Sequence, residues 1–211
     1  MDIVWLGHSS VRVRSGNTTL ITDPFADTVG FSMSNARAEI VTSSNDHPHH
    51  SHAEGVAGDP RVLRGPGEYE IASFYITGMG TPLGDAGGDR KLNTVFTILA
   101  EGLRLCHLGD LNQTLSPRQV EELNQTDILF VPVGGVCTIE VAKVVEIINL
   151  IGPRIVVPLH YWVGGVKVEL EPLDAFLTQM GIAEAAPVTR LNVTSTSLPR
   201  ELQVVVMQRE A

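Results

Sequence analysis

The sequence predicts one domain, residues 1–211, of mixed α/β class, and three observations support this. Its 211 residues are an ordinary length for one domain. Hydrophobic residues make up 43% of the chain and charged residues 18%, as in typical globular proteins. Short β-rich runs fill the first half, whereas helical periodicity appears only in the second half. This order indicates a fold based on sheets, to which helices are added later in the chain.

Short strands are predicted along most of the chain. Turn residues such as Ser15-Gly16-Asn17 and Gly65-Pro66-Gly67 separate them. Residues 78–90 are rich in Gly, Pro and Asp and therefore predict a loop. The predicted strands cover residues 3–6, 11–14, 18–22, 39–42, 62–64, 69–77, 93–99, 103–108, 128–131, 155–157, 191–194 and 202–207.

Three helices are predicted in the second half. Ser116 is placed to cap a helix that begins at Pro117 and runs to about residue 123. Thr138 is placed to cap a second helix, whose apolar positions recur at helical spacing as far as Ile151. The last helix is expected to begin at Pro172 and to end before a glycine at position 181.

Composition excludes several classes of function and location. A formal net charge of −9 argues against a simple basic nucleic-acid surface and against binding to an anionic membrane. No membrane span is expected, because no window reaches about 18 uninterrupted apolar residues. Cys106 and Cys137 have neither zinc-ribbon spacing nor the density of a disulfide scaffold. The chain begins without a recognisable secretion signal, so a cytoplasmic protein is expected.

A dense histidine cluster is the first candidate for a functional site. Four of the seven histidines, His47, His49, His50 and His52, lie within six residues, directly after the predicted strand 39–42. Neutral imidazole is the commonest protein ligand for zinc-like metals, and several on one loop can converge on one ion. The alternative is a solvated His-rich loop, since such a tract alone is only a compositional hint.

Polar residues follow three of the predicted strands. The histidine cluster follows strand 39–42, Asp110 follows strand 103–108, and His160 follows strand 155–157. If these strand ends meet, the imidazoles and the carboxylate form a site suited to zinc, manganese or iron. Taken singly, Asp110 could be a turn residue and His160 a buried core histidine. The three positions together favour the metal site.

Six segments carry a resemblance to a known family: Leu6-Gly7-His8-Ser9-Ser10, Thr22-Asp23-Pro24-Phe25, Gly65-Pro66-Gly67-Glu68-Tyr69-Glu70, Asn93-Thr94-Val95-Phe96, His107-Leu108-Gly109-Asp110-Leu111 and Pro158-Leu159-His160-Tyr161. They resemble metallo-β-lactamase-fold proteins, in the branch of small metal-dependent hydrolases that includes the ascorbate-phosphate lactonases. The resemblance implies a four-layer αββα sandwich with the site at one edge of its two sheets.

The signature loop of this family reads His-x-His-x-Asp-His, and residues 45–50 occupy the same register. Asn45 then stands for the first histidine and His49 for the aspartate, whereas His47 and His50 match directly. In the family, a further ligand histidine precedes the segment that matches Asn93-Thr94. Residues 80–85 contain none.

The resemblance therefore implies one divalent metal ion rather than two. The first metal position would retain only His47, with Asn45 as a weak oxygen donor, and zinc prefers nitrogen, sulfur or carboxylate ligands. The second position would draw on His49, His50, Asp110 and His160, and would be centred on the last three. Zinc is the expected metal, and manganese or iron also suits this set.

Asp110 and His49 are the residues expected to take part in catalysis. Asp110 would hold the ion. His49 replaces the aspartate that orients the attacking water, so it could act as a general base or be a broken part of the motif. Tyr161 or His8 could donate a hydrogen bond to a developing oxyanion, and each could equally be structural.

Two functions remain open on this reading. One is a cytoplasmic hydrolase with a single metal that acts on a small-molecule ester, lactone or phosphoester, supported by His50, Asp110 and His160. The other is a member of the fold that has lost catalysis and has a binding or regulatory role, supported by Asn45 and His49. His52 and His107 are not expected to be ligands. Fold analogy allows a homo-oligomer.

Overall fold

The computed structural model describes residues 1–33, 35–84 and 92–210. These residues form four α-helices and thirteen strands. The helices are α1 (Pro48–Ser51), α2 (Pro117–Glu122), α3 (Val141–Ile151) and α4 (Asp174–Gln179). The strands are β1 (Asp2–Gly7), β2 (Ser10–Ser15), β3 (Thr18–Thr22), β4 (Ile40–Ser43), β5 (Arg61–Arg64), β6 (Gly67–Ile71), β7 (Phe74–Pro82), β8 (Leu92–Ala100), β9 (Leu103–His107), β10 (Ile128–Pro132), β11 (Ile155–Leu159), β12 (Leu191–Asn192) and β13 (Gln203–Val204).

The strands form two mixed sheets. The first sheet has the order β12-β1-β2-β3-β4-β5, and the second has the order β13-β11-β10-β9-β8-β7-β6. In the first sheet β1, β2 and β3 are antiparallel, while β3, β4 and β5 are parallel. In the second sheet β9, β10, β11 and β13 are parallel, and the strands from β6 to β9 are antiparallel. Each sheet thus contains a parallel half and an antiparallel half.

Alternate residues of β1 belong to different hydrophobic clusters. Ile3 and Trp5 lie in the main core, which contains residues of both sheets and of α3. Val4 and Leu6 lie in a second cluster with Phe25 and other residues of the segment that connects the strands of the first sheet. Since successive side chains of a strand point to opposite faces, both faces of β1 are covered. The predicted four-layer αββα sandwich is confirmed.

The structure corrects one strand prediction and one loop prediction in the second sheet. The predicted strand 69–77 is two strands, β6 and β7, because the chain turns at Ala72, which has a φ of 53°. The first part of the predicted loop 78–90 continues β7, which pairs with β8 from Gly78 to Pro82. A Cβ at Gly78 would lie 2.7 Å from the carbonyl oxygen of Gly65, so glycine permits a close backbone approach. Residues 85–90 of that prediction lie outside the described residues.

Helix starts agree with the prediction only in part. Ser116 caps α2 through a capping box with Gln119, as its position predicted. Thr138 does not cap α3, because its hydroxyl donates to the carbonyl of Gly135 and the helix begins at Val141. The last helix, α4, begins at Asp174, whereas Pro172 forms an isolated β-bridge with Trp162.

The topology brings the carboxyl ends of several strands to one place. Strands β1, β3 and β4 run in the same direction, and so do β9, β10 and β11. Two backbone hydrogen bonds join the two sheets at this edge, which we call the junction. The amide of Thr94 donates to the carbonyl of Ser44 over 2.7 Å, and that of His160 donates to the carbonyl of His8 over 2.9 Å. Residues that follow six different strands can therefore contribute to one site.

Gly134 tests how tightly this junction is packed. A Cβ at Gly134 would collide with the carbonyl oxygen of His160. We expect Gly134→Ala to lower the free energy of unfolding by about 1–3 kcal/mol, because overpacked positions must displace their neighbours. A Cβ at Gly164 would meet nothing within 4 Å, so Gly164→Ala should change stability by less than about 0.5 kcal/mol. Denaturant unfolding of both variants checks this, and equal stabilities would contradict the described packing.

Candidate metal centre

Three residues of the junction leave their strands with a left-handed backbone. His8 follows β1 with a φ of 50°, Asp23 follows β3 with a φ of 39°, and His160 follows β11 with a φ of 55°. This conformation costs a residue with a side chain about 1–2 kcal/mol, and glycine normally occupies it. Such outliers cluster at functional sites, where the surrounding structure holds them. Here a hydrogen bond from Trp5 Nε1 to the carbonyl of His8 helps to stabilise the backbone conformation of His8.

A buried carboxylate orients His50. Nδ1 of His50 lies 2.9 Å from Oδ2 of Asp23. Asp23 also accepts hydrogen bonds from the backbone amide and the hydroxyl of Ser44. Burial raises the pKa of Asp23, but the hydrogen bonds from His50 and Ser44 and the nearby His107 lower it on balance. A carboxylate that accepts the Nδ1 proton fixes the tautomer of the imidazole and leaves Nε2 available to a metal.

Oδ1 of Asp110 lies close to ring nitrogens of two histidines, His50 and His160. This oxygen is 3.7 Å from Nε2 of His50 and 3.9 Å from Nε2 of His160. Ligand atoms at 2.0–2.3 Å from a tetrahedral zinc ion are roughly 3.3–3.8 Å apart. The distances from the carboxylate to each imidazole are therefore close to the spacing that one ion requires.

His8 adds a third imidazole to this group. Ligand nitrogens of His8, His50 and His160 all lie within 4.8 Å of one another. Both ring nitrogens of His8 and Nδ1 of His160 are buried and have no hydrogen-bond partner among the residues that the structure describes. Leaving a buried polar group unsatisfied costs about 1–3 kcal/mol, and such groups in native proteins point to an ion or a water molecule. The residues present therefore fit a metal ion.

The buried imidazoles are in the state that binds metals. Burial lowers the pKa of His8 and of His160 well below the ordinary value, and the neighbouring histidines lower both further. Both rings are consequently neutral at pH 7. A neutral imidazole presents a lone pair without first losing a proton, as metal ligation requires.

Asp110 is held in place by two asparagines. Its backbone amide donates to Oδ1 of Asn93 over 2.9 Å, and the side-chain amide of Asn45 donates to its Oδ2 over 3.2 Å. Oδ1 of Asn45 accepts the backbone amide of His47 over 2.8 Å. The side-chain amide of Asn45 thus faces the carboxylate of Asp110, so this residue positions a predicted ligand.

His47 and His49 lie beside the buried group of imidazoles. Nδ1 of His47 accepts the backbone amide of His49 as the N-cap of α1, so the predicted polar loop is in part a helical turn. Nε2 of His49 lies 3.1 Å from the hydroxyl of Thr28, and its ring centroid is 5.9 Å from that of His8. The ring centroids of His47 and His50 are 6.5 Å apart. Metal ligation by His47 and His49 stays a prediction.

Comparisons with known proteins show which family the chain resembles. The family model of the β-lactamase superfamily domain matches residues 2–160. A UPF0173 protein of Pyrococcus furiosus is 30% identical over 181 residues, which are 76% of this chain and 83% of that protein. A solved structure from Thermotoga maritima is classed with the Zn-dependent hydrolases of the metallo-β-lactamase superfamily. It is 34% identical with a TM-score of 0.81, and the match covers 99% of each chain.

The chain belongs to the metallo-β-lactamase superfamily. A UPF0173 metal-dependent hydrolase of Natranaerobius thermophilus is a further relative, 23% identical over 188 residues, with coverage of 76% of this chain and 83% of that protein. The family and the enzyme class, a metal-dependent hydrolase of this superfamily, are as the sequence predicted. Among the described helices, none combines the length and the hydropathy needed to span a bilayer.

Within this superfamily fold, His107 and Tyr161 have structural contacts. Nε2 of His107 lies 2.8 Å from the carbonyl of Ser9, and its Nδ1 accepts the amide of Gly109 over 3.2 Å. Both ring nitrogens are used, in agreement with the expectation that His107 is not a ligand. Tyr161 stacks on Trp5 with ring centroids 5.2 Å apart, and burial raises its pKa to about 12. Packing therefore explains Tyr161 without a catalytic role.

Sequence reasoning missed three residues of the site. It considered His8 only as a hydrogen-bond donor, and it gave no role to Asp23 or Cys137. The thiol of Cys137 lies within 4.8 Å of ligand atoms of Asp110 and His160, which form a second group with it. The available signal was position, because His8 follows β1 and Cys137 follows β10 at the same end of the sheets.

The neutral imidazoles predict a pH dependence for the metal-free protein. Above pH 6.5 a histidine with a lowered folded-state pKa is neutral in both states and adds no pH dependence. Below pH 6.5 the unfolded state binds a proton that folded His8 does not, so the free energy of unfolding falls as the pH falls. The limit is about 1.4 kcal/mol per pH unit for each such group.

Urea unfolding of metal-free protein at about pH 7.5, 6.5 and 5.5 measures this dependence around the ordinary histidine pKa. His8→Gly, which suits the left-handed backbone, should lose less free energy of unfolding than the wild type between the two lower pH values. His52→Ala, at a partly exposed position outside the group, should behave like the wild type. If the free energy of unfolding falls equally at low pH in the wild type and in His8→Gly, His8 is not buried in its neutral form.

Proposed function

We propose that the protein is a hydrolase that uses one divalent metal ion held by His50, Asp110 and His160, with His8 on its buried side. Its substrate is a small molecule with an ester, lactone or phosphoester bond. The observation that carries this proposal is the set of buried imidazole nitrogens that have no hydrogen-bond partner in the described chain, next to a buried carboxylate. The names of relatives as metal-dependent hydrolases support the same reaction class.

A divalent ion in such a site supplies a water of near-neutral pKa and polarises the carbonyl or phosphoryl oxygen of the substrate. The residues of the chain orient the ligands of that ion. Asp23 keeps Nε2 of His50 directed to the site and raises the basicity of that nitrogen. Asn45 and Asn93 hold the carboxylate of Asp110. Excluding bulk water from these buried groups strengthens their electrostatic interactions.

His49 is the proposed group for proton transfer. It is partly exposed, so it can exchange protons with solvent, whereas His8, His50 and His160 are buried. Its ring lies 5.9 Å from that of His8, at the border of the site. Imidazole is the side chain best suited to accept and return protons near neutral pH.

One ion rather than two is supported by the hydrogen bonds of the signature loop. A second position would need donor atoms of Asn45 and His47. Oδ1 of Asn45 accepts the amide of His47, and Nδ1 of His47 accepts the amide of His49. These bonds direct both acceptor atoms to the backbone of α1. Zinc suits the remaining nitrogen and carboxylate donors best, and manganese or iron would also be accepted.

A cleft beside the site has the size of a small-molecule pocket. Its volume is about 800 Å³, and its walls include Asn112, Gly135, Val136, Lys143 and Glu171. Pockets for small molecules are generally 300–1,000 Å³ in volume. Asn112 is two residues after Asp110, so the cleft adjoins the segment that carries this proposed ligand. This arrangement supports a small, polar substrate.

Metal analysis and an activity screen test the proposal together. Protein supplied with zinc should retain close to one equivalent, and Asp110→Ala or His160→Ala should lose it. Activity on generic nitrophenyl esters or phosphodiesters should fall by more than about 100-fold in His50→Ala, since even residues that only orient ligands affect activity by 10–100-fold.

His52→Ala is the matched control from the same histidine cluster and should retain both metal and activity. A protein that binds no metal after supplementation with zinc and manganese would contradict the proposal. That result would favour the binding or regulatory function instead.

A further inference from the structure

Cys137 shares a group of potential ligand atoms with two residues of the metal centre. Its thiol, a carboxylate oxygen of Asp110 and a ring nitrogen of His160 lie within 4.8 Å of one another. His160 is only 1% exposed, and its Nδ1 has no hydrogen-bond partner in the described part of the chain. The thiol therefore lies next to His160, which has a ring nitrogen that no described residue satisfies.

The loop that carries Cys137 is fixed against both neighbours. The backbone amide of Ile139 donates to the carbonyl of Leu111, directly after Asp110, over 2.8 Å. Gly134 packs so closely on the carbonyl of His160 that a Cβ would not fit there. Between these two points, the amide and the hydroxyl of Thr138 both donate to the carbonyl of Gly135. The position of the thiol is thus set by backbone contacts on each side of it.

The second cysteine of the chain has a different environment. Cys106 lies on β9 in the main core, where burial strongly raises the pKa of its thiol. Cys137 is partly exposed. A thiol binds metals as the thiolate, which a fully apolar environment disfavours. Cys106 is therefore a matched control for any property assigned to Cys137.

We propose that Cys137 is a sulfur ligand of the metal ion, an inference that rests on the proposed function. On binding, the thiol releases its proton to solvent and the sulfur coordinates the ion. Two imidazoles, a carboxylate and a thiolate form a donor set that favours zinc, whereas manganese and magnesium prefer oxygen ligands. Cys137 thereby compensates for the two signature-loop ligands that are replaced by Asn45 and His49.

Titration of the metal-free, reduced protein with cobalt(II) tests the inference by absorption spectroscopy. Bound cobalt gives visible d–d bands, and sulfur ligation adds a charge-transfer band in the near ultraviolet. The wild type and Cys106→Ala should show both, whereas Cys137→Ser should keep the d–d bands and lose the charge-transfer band. Competition with a chelator should show a zinc affinity about 10–100-fold lower in Cys137→Ser, with a much smaller change for manganese.

The outcomes separate this inference from the proposed function. Visible bands without a charge-transfer band in the wild type would overturn the role of Cys137 and leave the metal site intact. A wild type without any cobalt bands would overturn the metal site itself, and the inference with it. The wild-type spectrum decides both points even if a cysteine variant fails to fold.

Discussion

Asp23 is a fully buried carboxylate, and it accepts hydrogen bonds from Ser44 and His50. A buried charge is strongly unfavourable unless it is paired and hydrogen-bonded, and removal of one partner commonly costs 3–5 kcal/mol. The end of β3, the end of β4 and helix α1 must therefore keep their relative positions. The same hydrogen bond fixes the tautomer of His50 and directs Nε2 to Asp110. The stability of this sheet edge and the geometry of the metal centre depend on one interaction.

The rest of the centre is unfavourable for folding by itself. His8 and His160 combine a left-handed backbone with buried ring nitrogens that no described residue satisfies. Each feature costs on the order of 1–3 kcal/mol. A ligand that binds only the folded state stabilises it, and a metal ion satisfies the nitrogens directly. The local energetics are thus those of a site shaped for binding rather than for stability.

Part of this arrangement could be predicted from the sequence, and the physical reasons differ from residue to residue. The strand periodicity and the positions of Asp110 and His160 after strands indicated that they could meet at a sheet edge, and the family resemblance implied that they surround one ion together with His50. The involvement of His8 depends on the approach of the ends of β1 and β11, where the amide of His160 donates to the carbonyl of His8, and no local pattern encodes this approach. The contact of Cys137 depends on a loop held by Leu111 and His160. Glycine is frequent in loops, and Gly78 therefore helped to predict a loop. In the structure it lies in β7, where the absence of a side chain permits close packing.

The central claim is that residues distant in the sequence bind one metal ion, and anomalous scattering tests it most directly. Crystals grown with zinc would be measured on both sides of the zinc absorption edge. The account predicts a single peak about 2.0–2.2 Å from a nitrogen of His50, a nitrogen of His160 and a carboxylate oxygen of Asp110. A peak at His47 and His49 instead, or two peaks of equal height at the sheet edge, would contradict it.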